Sequence, residues 1–383
     1  MAGQRARELR AQGRDIVDLT AGEPDFPTAD NILEAANRAM RDGKTKYTDV
    51  GGTRDLKHAI QAKFMRENEL DYDLTEIIAG SGAKQVIFNA LMTTVQSGVE
   101  VIIPAPYWVS YPDMVMLAGG TPVCLPTTQQ QDFKIDAQAL ERAITPRTKW
   151  LILNSPCNPS GAVYSRAELR AISDVLLRHP HVWVLTDDIY EHILYDGASF
   201  VTIAQVEPQL KSRTLTVNGV SKAYAMTGWR LGYAAGPKEL IAQMTKLQSH
   251  SSSHPCSISQ AAACEALNGP QVAVREMAKR FEVRRNTVCE RLKDVSGIAC
   301  MPPAGAFYLY ITCDGVIGAR TPDGATLRSD GEFALYLLER ENLAVLHGEA
   351  YGVSPFIRMS FAASSEALAE GCDRLQRACE ALF

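Results

Sequence analysis

The sequence predicts an α/β protein: a large domain on a mostly parallel sheet, followed by a smaller α+β domain. Three observations carry this reading. At 383 residues the chain is long for a single core. Up to about Gly269, short apolar runs alternate with helical patterns, the order that builds parallel strands joined by helices. Those runs are apolar at consecutive positions, as in strands covered on both faces.

Asp30 is placed to cap a helix carrying Ile32, Leu33, Ala36 and Met40, and Thr53 to cap one that ends near Asn68. Residues 76–80 read as a strand, and Val86, Phe88, Ala90, Leu91 and Val95 mark a helix over about 84–95. Strands follow at 99–104, 121–125, 150–154 and 182–186, the last two separated by a helix over 166–177, and 213–217 and 231–235 complete the set. A long polar helix then covers about 272–295. Strands near 305–311 and 356–361 and a final helix near 364–382 form the smaller domain. The expected division is 1–42 as an N-terminal segment packing with the small domain, 43–285 as the large domain and 286–383 as the small C-terminal domain.

Composition excludes several classes. A hydrophobic share of 46% and a charged share of 22% are ordinary for a soluble globular protein. The formal net charge of −5 argues against a nucleic-acid-binding face, so any bound anion must be held by local charges and oriented amides. No apolar run is long enough for a membrane helix, and Met1–Gly13 is polar and Arg-rich with no signal core. The nine cysteines are scattered and include no C-x-x-C pair. They read as reduced thiols in a cytoplasmic protein, with neither a disulfide framework nor a metal site.

Ligands in open α/β sheets bind beyond the carboxyl ends of the strands. Gly80-Ser81-Gly82-Ala83-Lys84-Gln85 follows the first strand and opens a helix, where small residues let amides close on an anion. A plain tight turn accounts for it as well, and the nucleotide-binding glycine spacings are missing. Trp108, after the next strand, can stack on a flat ring or simply pack in the core. Asn154-Ser155-Pro156-Cys157-Asn158-Pro159-Ser160-Gly161 makes a sharp loop that presents Asn158, or is only a turn. Asp187-Asp188-Ile189-Tyr190 puts carboxylates at a buried strand end, where they need partners. Asp187 can hold a cationic ring nitrogen, and Tyr190 can reach an oxygen of the same ring. In Ser221-Lys222-Ala223-Tyr224-Ala225-Met226-Thr227-Gly228-Trp229-Arg230, Lys222 sits in a small, apolar loop. Desolvation there lowers a lysine pKa and frees the amine as a nucleophile toward an aldehyde. Arg230 suits a phosphate.

The Asn158–Gly161, Asp187–Tyr190 and Ser221–Arg230 strings stand in the order and spacing of class I aminotransferases. Thr20-Ala21-Gly22-Glu23-Pro24-Asp25-Phe26, Lys46-Tyr47, Gly82-Ala83-Lys84-Gln85 and Pro106–Pro112 extend the match over essentially the whole chain. The sequence resembles the fold-type-I pyridoxal-5′-phosphate (PLP) enzymes, in particular the bacterial aspartate and aspartate/prephenate aminotransferases.

The resemblance implies that residues 43–285 bind PLP and that Lys222 attaches it covalently and then shuttles the substrate proton. Asp187 would keep the pyridine nitrogen protonated, Tyr190 and Asn158 would bond the phenolic oxygen, and Trp108 would stack on the ring. The amides of Gly82, Ala83 and Lys84, with Ser221 and Arg230, would surround the phosphate. Tyr47 would reach the phosphate of a second subunit, which implies a homodimer with shared sites. Arg358, on an apolar strand, would hold the substrate α-carboxylate, with Asn158, Trp108 and the backbone at Gly22 beside it; alternatively Arg358 pairs with a carboxylate of the protein. Lys84 is associated with the distal carboxylate of acidic substrates. The implied reaction is ping-pong transamination between aspartate or glutamate and 2-oxoglutarate or oxaloacetate. Prephenate amination, an aromatic or other amino acid preference, and a PLP lyase are the alternatives. His254 and His347 depart from the family pattern.

Overall fold

The computed structural model describes residues 2–383, with the backbone alone for residues 2–4, 6 and 7. In chain order its strands are β1 (Val17–Asp18), β2 (Ile77–Gly80), β3 (Glu100–Ala105), β4 (Thr121–Pro126), β5 (Thr148–Asn154) and β6 (Trp183–Asp187). They continue with β7 (Thr214–Gly219), β8 (Gly232–Ala235), β9 (Tyr308–Thr312), β10 (Leu343–Ala344), β11 (Leu346–His347) and β12 (Phe356–Ser360).

A seven-stranded sheet runs in the order β2-β8-β7-β6-β5-β3-β4. Only β8 is antiparallel to its neighbours β2 and β7; the other pairs are parallel. The reversal follows from the connection. Residues 220–231 hold only a short 3-10 turn at Thr227–Trp229, not the helix that usually carries a chain back to a parallel neighbour. The sheet is buried on both faces, as the continuous apolar runs predict. Trp150 and Ile152 of β5 pack with Val86, Val101 and Val115 on one side. Leu151 and Leu153 pack with Leu140, Leu169 and Ile172 on the other.

A three-stranded antiparallel sheet, β11-β12-β9, forms the smaller core. Helices Val272–Leu292, Asp330–Glu341 and Ser365–Glu380 lie against it. The N-terminal helix Ala2–Ala11 lies on helix Asp330–Glu341, and β1 pairs with β10. Helix Asp30–Arg41 packs instead on Ser257–Asn268.

Strand positions agree with the sequence expectation to within a few residues. Thr53 caps its helix by accepting from Leu56 N, as expected. Asp30 does not cap: it is the first helical residue, behind Ala29. Of the stripe expected on that helix, Leu33 (39% exposed) and Met40 (49%) face outward, and Ala35 and Ala39 replace them inside. Helices Ser110–Leu117, Ala137–Ala143, Lys238–Ser249, Ser257–Asn268 and Asp330–Glu341 are absent from the sequence reading. Ser257–Asn268 shows why: Ser259, Gln260, Ala262, Ala263, Ala266 and Leu267 are all buried, and small or polar buried residues give no apolar stripe to read. All nine cysteines are free. No helix among the described residues is long and apolar enough to cross a membrane.

Candidate active site

The carboxyl ends of β5, β6 and β7 open into a cavity of about 440 Å³. Its wall includes Gly22, Ala83, Lys84, Trp108, Asn158, Asp187, Tyr190, Ser221, Lys222, Arg230 and Arg358. Nearly every expected site residue is therefore brought together. Two stand apart from the wall. Gly82 lies just behind it, and Tyr47 is on the outer surface, 93% exposed, edge-on to the His254 ring at 5.7 Å.

Asp187 ends β6 and is buried. Its Oδ2 accepts from Tyr111 Oη at 2.6 Å, and its main-chain oxygen accepts from Asn154 Nδ2 at 2.8 Å. Its Oδ1 is buried with no hydrogen-bond partner. Burial pushes the carboxyl up to about 6, against the Tyr111 hydrogen bond that pulls it down. An acceptor with a free lone pair in so dry a place matches a cationic N–H donor supplied by a ligand.

Lys222 follows β7 by three residues. Its side chain keeps some exposure to the cavity, and Nζ donates to Gly22 O at 2.5 Å. Desolvation, helped by the Arg230 and Arg358 charges and opposed by Glu23 and Asp187, brings its pKa down to about 8. The neutral amine is thus accessible near neutrality. The rate at which an aldehyde couples to Lys222 is expected to climb as pH rises through about 8 and to level off above it. Stopped-flow absorbance of PLP added to the cofactor-free chain between pH 6 and 10 checks this, and a flat profile would count against the lysine. The sign for stability is fixed too. The folded pKa lies below the free-lysine value, so this lysine's penalty is greatest below about 8 and fades as pH rises toward 10.5.

On one flank, Gly82 holds φ at +93° just before helix Ala83–Thr94. A Cβ there would stand 2.4 Å from Arg230 Nη2, and a Cβ on Gly232 would stand 2.0 Å from Ala83 N. The two glycines let the helix N-terminus and the Arg230 guanidinium converge, which makes an anion cradle. Arg230 donates to Thr227 O at 2.8 Å.

On the opposite flank Arg358, from β12, is 5% exposed. It donates to Asn158 Oδ1 at 3.0 Å and to Thr20 O at 2.6 Å, and its Nε has no partner. No described carboxylate pairs with it, so its charge is left for a ligand. Tyr308 and Tyr351 lie under the guanidinium at 4.4 and 5.2 Å. Tyr190 Oη and Tyr308 Oη share a 2.9 Å hydrogen bond, and burial drives the Tyr190 hydroxyl far above its ordinary range. Trp108 forms a wall, with Lys84 Nζ 4.7 Å from its ring. Lys84, Lys222, Arg230 and Arg358 face Glu23 and Asp187, so the cavity favours anions.

Sequence reasoning gave no role to Tyr111, Asn154, Glu23 or Tyr308. Asn154 and Tyr111 had a signal, since both lie inside strand-end strings. Tyr308 had none, being one of several apolar strand positions.

Residues 14–375 match the model of the family "Aminotransferase class I and II". The chain belongs to this aminotransferase family. It is 55% identical over 378 residues to a probable aspartate/prephenate aminotransferase of Rhizobium leguminosarum bv. phaseoli, covering 99% of this chain and 94% of that one. The aspartate/prephenate aminotransferase of Cereibacter sphaeroides is 54% identical, with the same coverage. Among solved structures, the aspartate aminotransferase of Rhizobium meliloti superposes with a TM-score of 0.98 at 52% identity, covering 100% of this chain and 96% of that one. The Thermus thermophilus aspartate aminotransferase with maleate gives 0.91 at 41%, covering 98% and 95%.

The aminotransferase is a PLP enzyme of fold type I, as the sequence resemblance implies. The cavity fits that cofactor on its own terms. Asp187 Oδ1 lacks a donor, the glycine cradle accepts a phosphate, and Lys222 offers an amine of lowered pKa.

Proposed function

We propose that the chain transaminates a dicarboxylic amino acid, aspartate or glutamate, with a 2-oxo acid by a ping-pong mechanism, as a cytoplasmic homodimer. The observation that carries this reading is the buried Arg358, with no carboxylate partner, in the same cavity wall as Lys222 and Lys84. Two cationic groups in the wall of one cavity, besides Lys222, suit a substrate with two carboxylates. The names of the relatives and the maleate in the Thermus thermophilus structure support the same class.

PLP supplies a carbonyl carbon that takes the amino nitrogen and a ring that accepts the electron pair left at Cα. Lys222 would hold the cofactor through its amine, and the same amine, once free, would be the base that moves the substrate's Cα proton. Asp187 would keep the ring nitrogen protonated. Tyr190 and Asn158 would hydrogen-bond the ring oxygen, and Trp108 would stack on the ring and border the substrate. Gly82, Ala83, Lys84, Ser221 and Arg230 hold the phosphate. Arg358 clamps the α-carboxylate, with Asn158 and the Gly22 backbone beside it. Tyr47, exposed and outside its own cavity, is assigned to the phosphate of a second copy. Residues 1–42, 43–285 and 286–383 are taken as N-terminal segment, large domain and small domain.

Lys84→Ala is expected to lower kcat/KM for aspartate and glutamate by about tenfold or more and for neutral amino acids by less than about threefold. Single-turnover half-reactions test it, and equal losses would remove Lys84 from substrate selection. Prephenate is the second reading, favoured by the names of two relatives. Half-reactions with prephenate as acceptor decide between the two.

A further inference from the structure

Behind the cavity wall the chain buries a charged cluster that none of these steps uses. Lys63 is 0% exposed and Glu191 4%, and the two form a close ion pair. Asn68 Nδ2 and Asn218 Nδ2 donate to Glu191 at 3.0 and 2.7 Å, and Lys63 Nζ donates to Asn68 Oδ1 at 2.8 Å. Glu67 stands 3.6 Å from Lys63 and 2.9 Å from His192. Glu67, Glu191 and His192 lie close enough to bind a metal ion. The Lys63 ammonium already supplies a cation between the two carboxylates, so no metal is assigned there.

Stability is a weak reason for such a cluster. A buried ion pair can usually be replaced by packed apolar residues without loss, whereas removing one partner is strongly destabilising. Its location is more telling. Glu191 directly follows Tyr190, in the turn that begins at Asp187. That turn is tied to β7 by Asp188 N to Val217 O at 2.9 Å. Asn218, on β7, lies four residues before Lys222, and its Oδ1 accepts from Gly219 N at 2.7 Å. Helix Arg54–Asn68 contributes Lys63 and Asn68 from behind. Burial pushes the Glu191 carboxyl up, but the Lys63 and His192 charges and the Asn68 bond outweigh it and hold the group ionised.

We propose that Glu191, paired with Lys63 and tied to Asn218, is a positioning residue that fixes the spacing between the Asp187–Tyr190 turn and the Lys222 loop. The cofactor ring then fits between two strand ends that cannot drift apart. This rests on the cavity assignment above. Misplacement of reacting groups by about 1 Å is sufficient to cost about 10²-fold in rate.

The test compares full-length holoenzyme of the wild type, the double variant Lys63→Met/Glu191→Leu, and Asn218→Ser. Melting temperature, PLP dissociation constant and steady-state kinetics with aspartate are measured on each. The double variant removes both charges together but leaves the buried Asn68 and Asn218 amides without their acceptor, so it is expected to fold with a lowered melting temperature. Its PLP dissociation constant is expected to rise by about tenfold or more, with kcat per bound cofactor falling by a similar factor and KM for aspartate moving by less than about threefold. A double variant with wild-type PLP affinity and kcat overturns the proposal. If that variant does not fold, Asn218→Ser decides: weakened PLP binding supports the proposal and unchanged binding overturns it. Lys222→Ala is run alongside. If it keeps the covalent cofactor link, the cavity assignment itself fails and the positioning role falls with it, a pattern distinct from failure of positioning alone.

Discussion

Lys222→Ala is expected to abolish covalent attachment of PLP and to cut turnover by ~10³-fold or more. Two functions vanish together. The chain loses the amine that holds the cofactor and the base that moves the Cα proton, and no neighbour replaces either. Asp187 is bonded to Tyr111 and Tyr190 to Tyr308, and the Arg358 guanidinium is held by Asn158 and Thr20. PLP should still dock, because the glycine cradle, Arg230 and the Asp187 carboxylate are untouched. The variant is therefore expected to retain PLP that dialysis removes and to lack the visible band of the lysine-linked cofactor. Absorbance with borohydride trapping and intact mass reads this directly. An unaltered spectrum, or a PLP adduct trapped on another lysine, would take Lys222 out of its role.

Arg358→Ala is expected to lower kcat/KM by about 10²- to 10³-fold for amino and oxo acids alike, mostly through KM. Truncating one partner of a buried, hydrogen-bonded charge pair costs about 2–5 kcal/mol, and here the missing partner would be the substrate carboxylate. Asn158 and the Thr20 carbonyl would also lose their shared donor, so some loss of order at the Thr20–Gly22 backbone adds to the effect. Arg358→Lys keeps the charge and loses the planar fork, and an intermediate deficit is expected. Steady-state kinetics with aspartate and with an amine lacking the α-carboxylate separates the cases. A loss of similar size for both would show that Arg358 acts on the fold and not on the carboxylate.

Much of this architecture was legible in the residues because strands buried on both faces leave continuous apolar runs, as in Trp150–Leu153 and Val184–Leu185. The strand-end rule then led to Asp187, Asn158 and Lys222, which the fold does bring to one cavity. Local pattern did not reach contacts made across long sequence separations. Tyr111 meets Asp187 from a helix 76 residues earlier, and nothing near either residue announces the other. Tyr308 looks like one more core aromatic until β9 lies beside β12 and sets it under Arg358. Asp30 failed as a cap for a smaller reason: the chain turns one residue earlier, at Ala29. Tyr47 shows a different limit: expected at a phosphate, it lies on the outer surface of this chain and outside the cavity wall.

The cavity wall draws on Gly22, Lys84, Trp108, Asn158, Asp187, Lys222, Tyr308 and Arg358, that is, on nearly every third of the chain from its first segment to its last sheet. The residues assigned to the cofactor, from Gly82 to Arg230, all belong to the large core, so cofactor binding needs that core assembled, while Gly22 and Arg358 bring the N-terminal segment and the last sheet to the substrate side. By mass action, ligand that recognises only the assembled form adds its binding energy to the cost of opening that core. At a free concentration a hundredfold above its dissociation constant this amounts to about 2.7 kcal/mol. PLP supply thus adds to the resistance of the large core to unfolding and proteolysis.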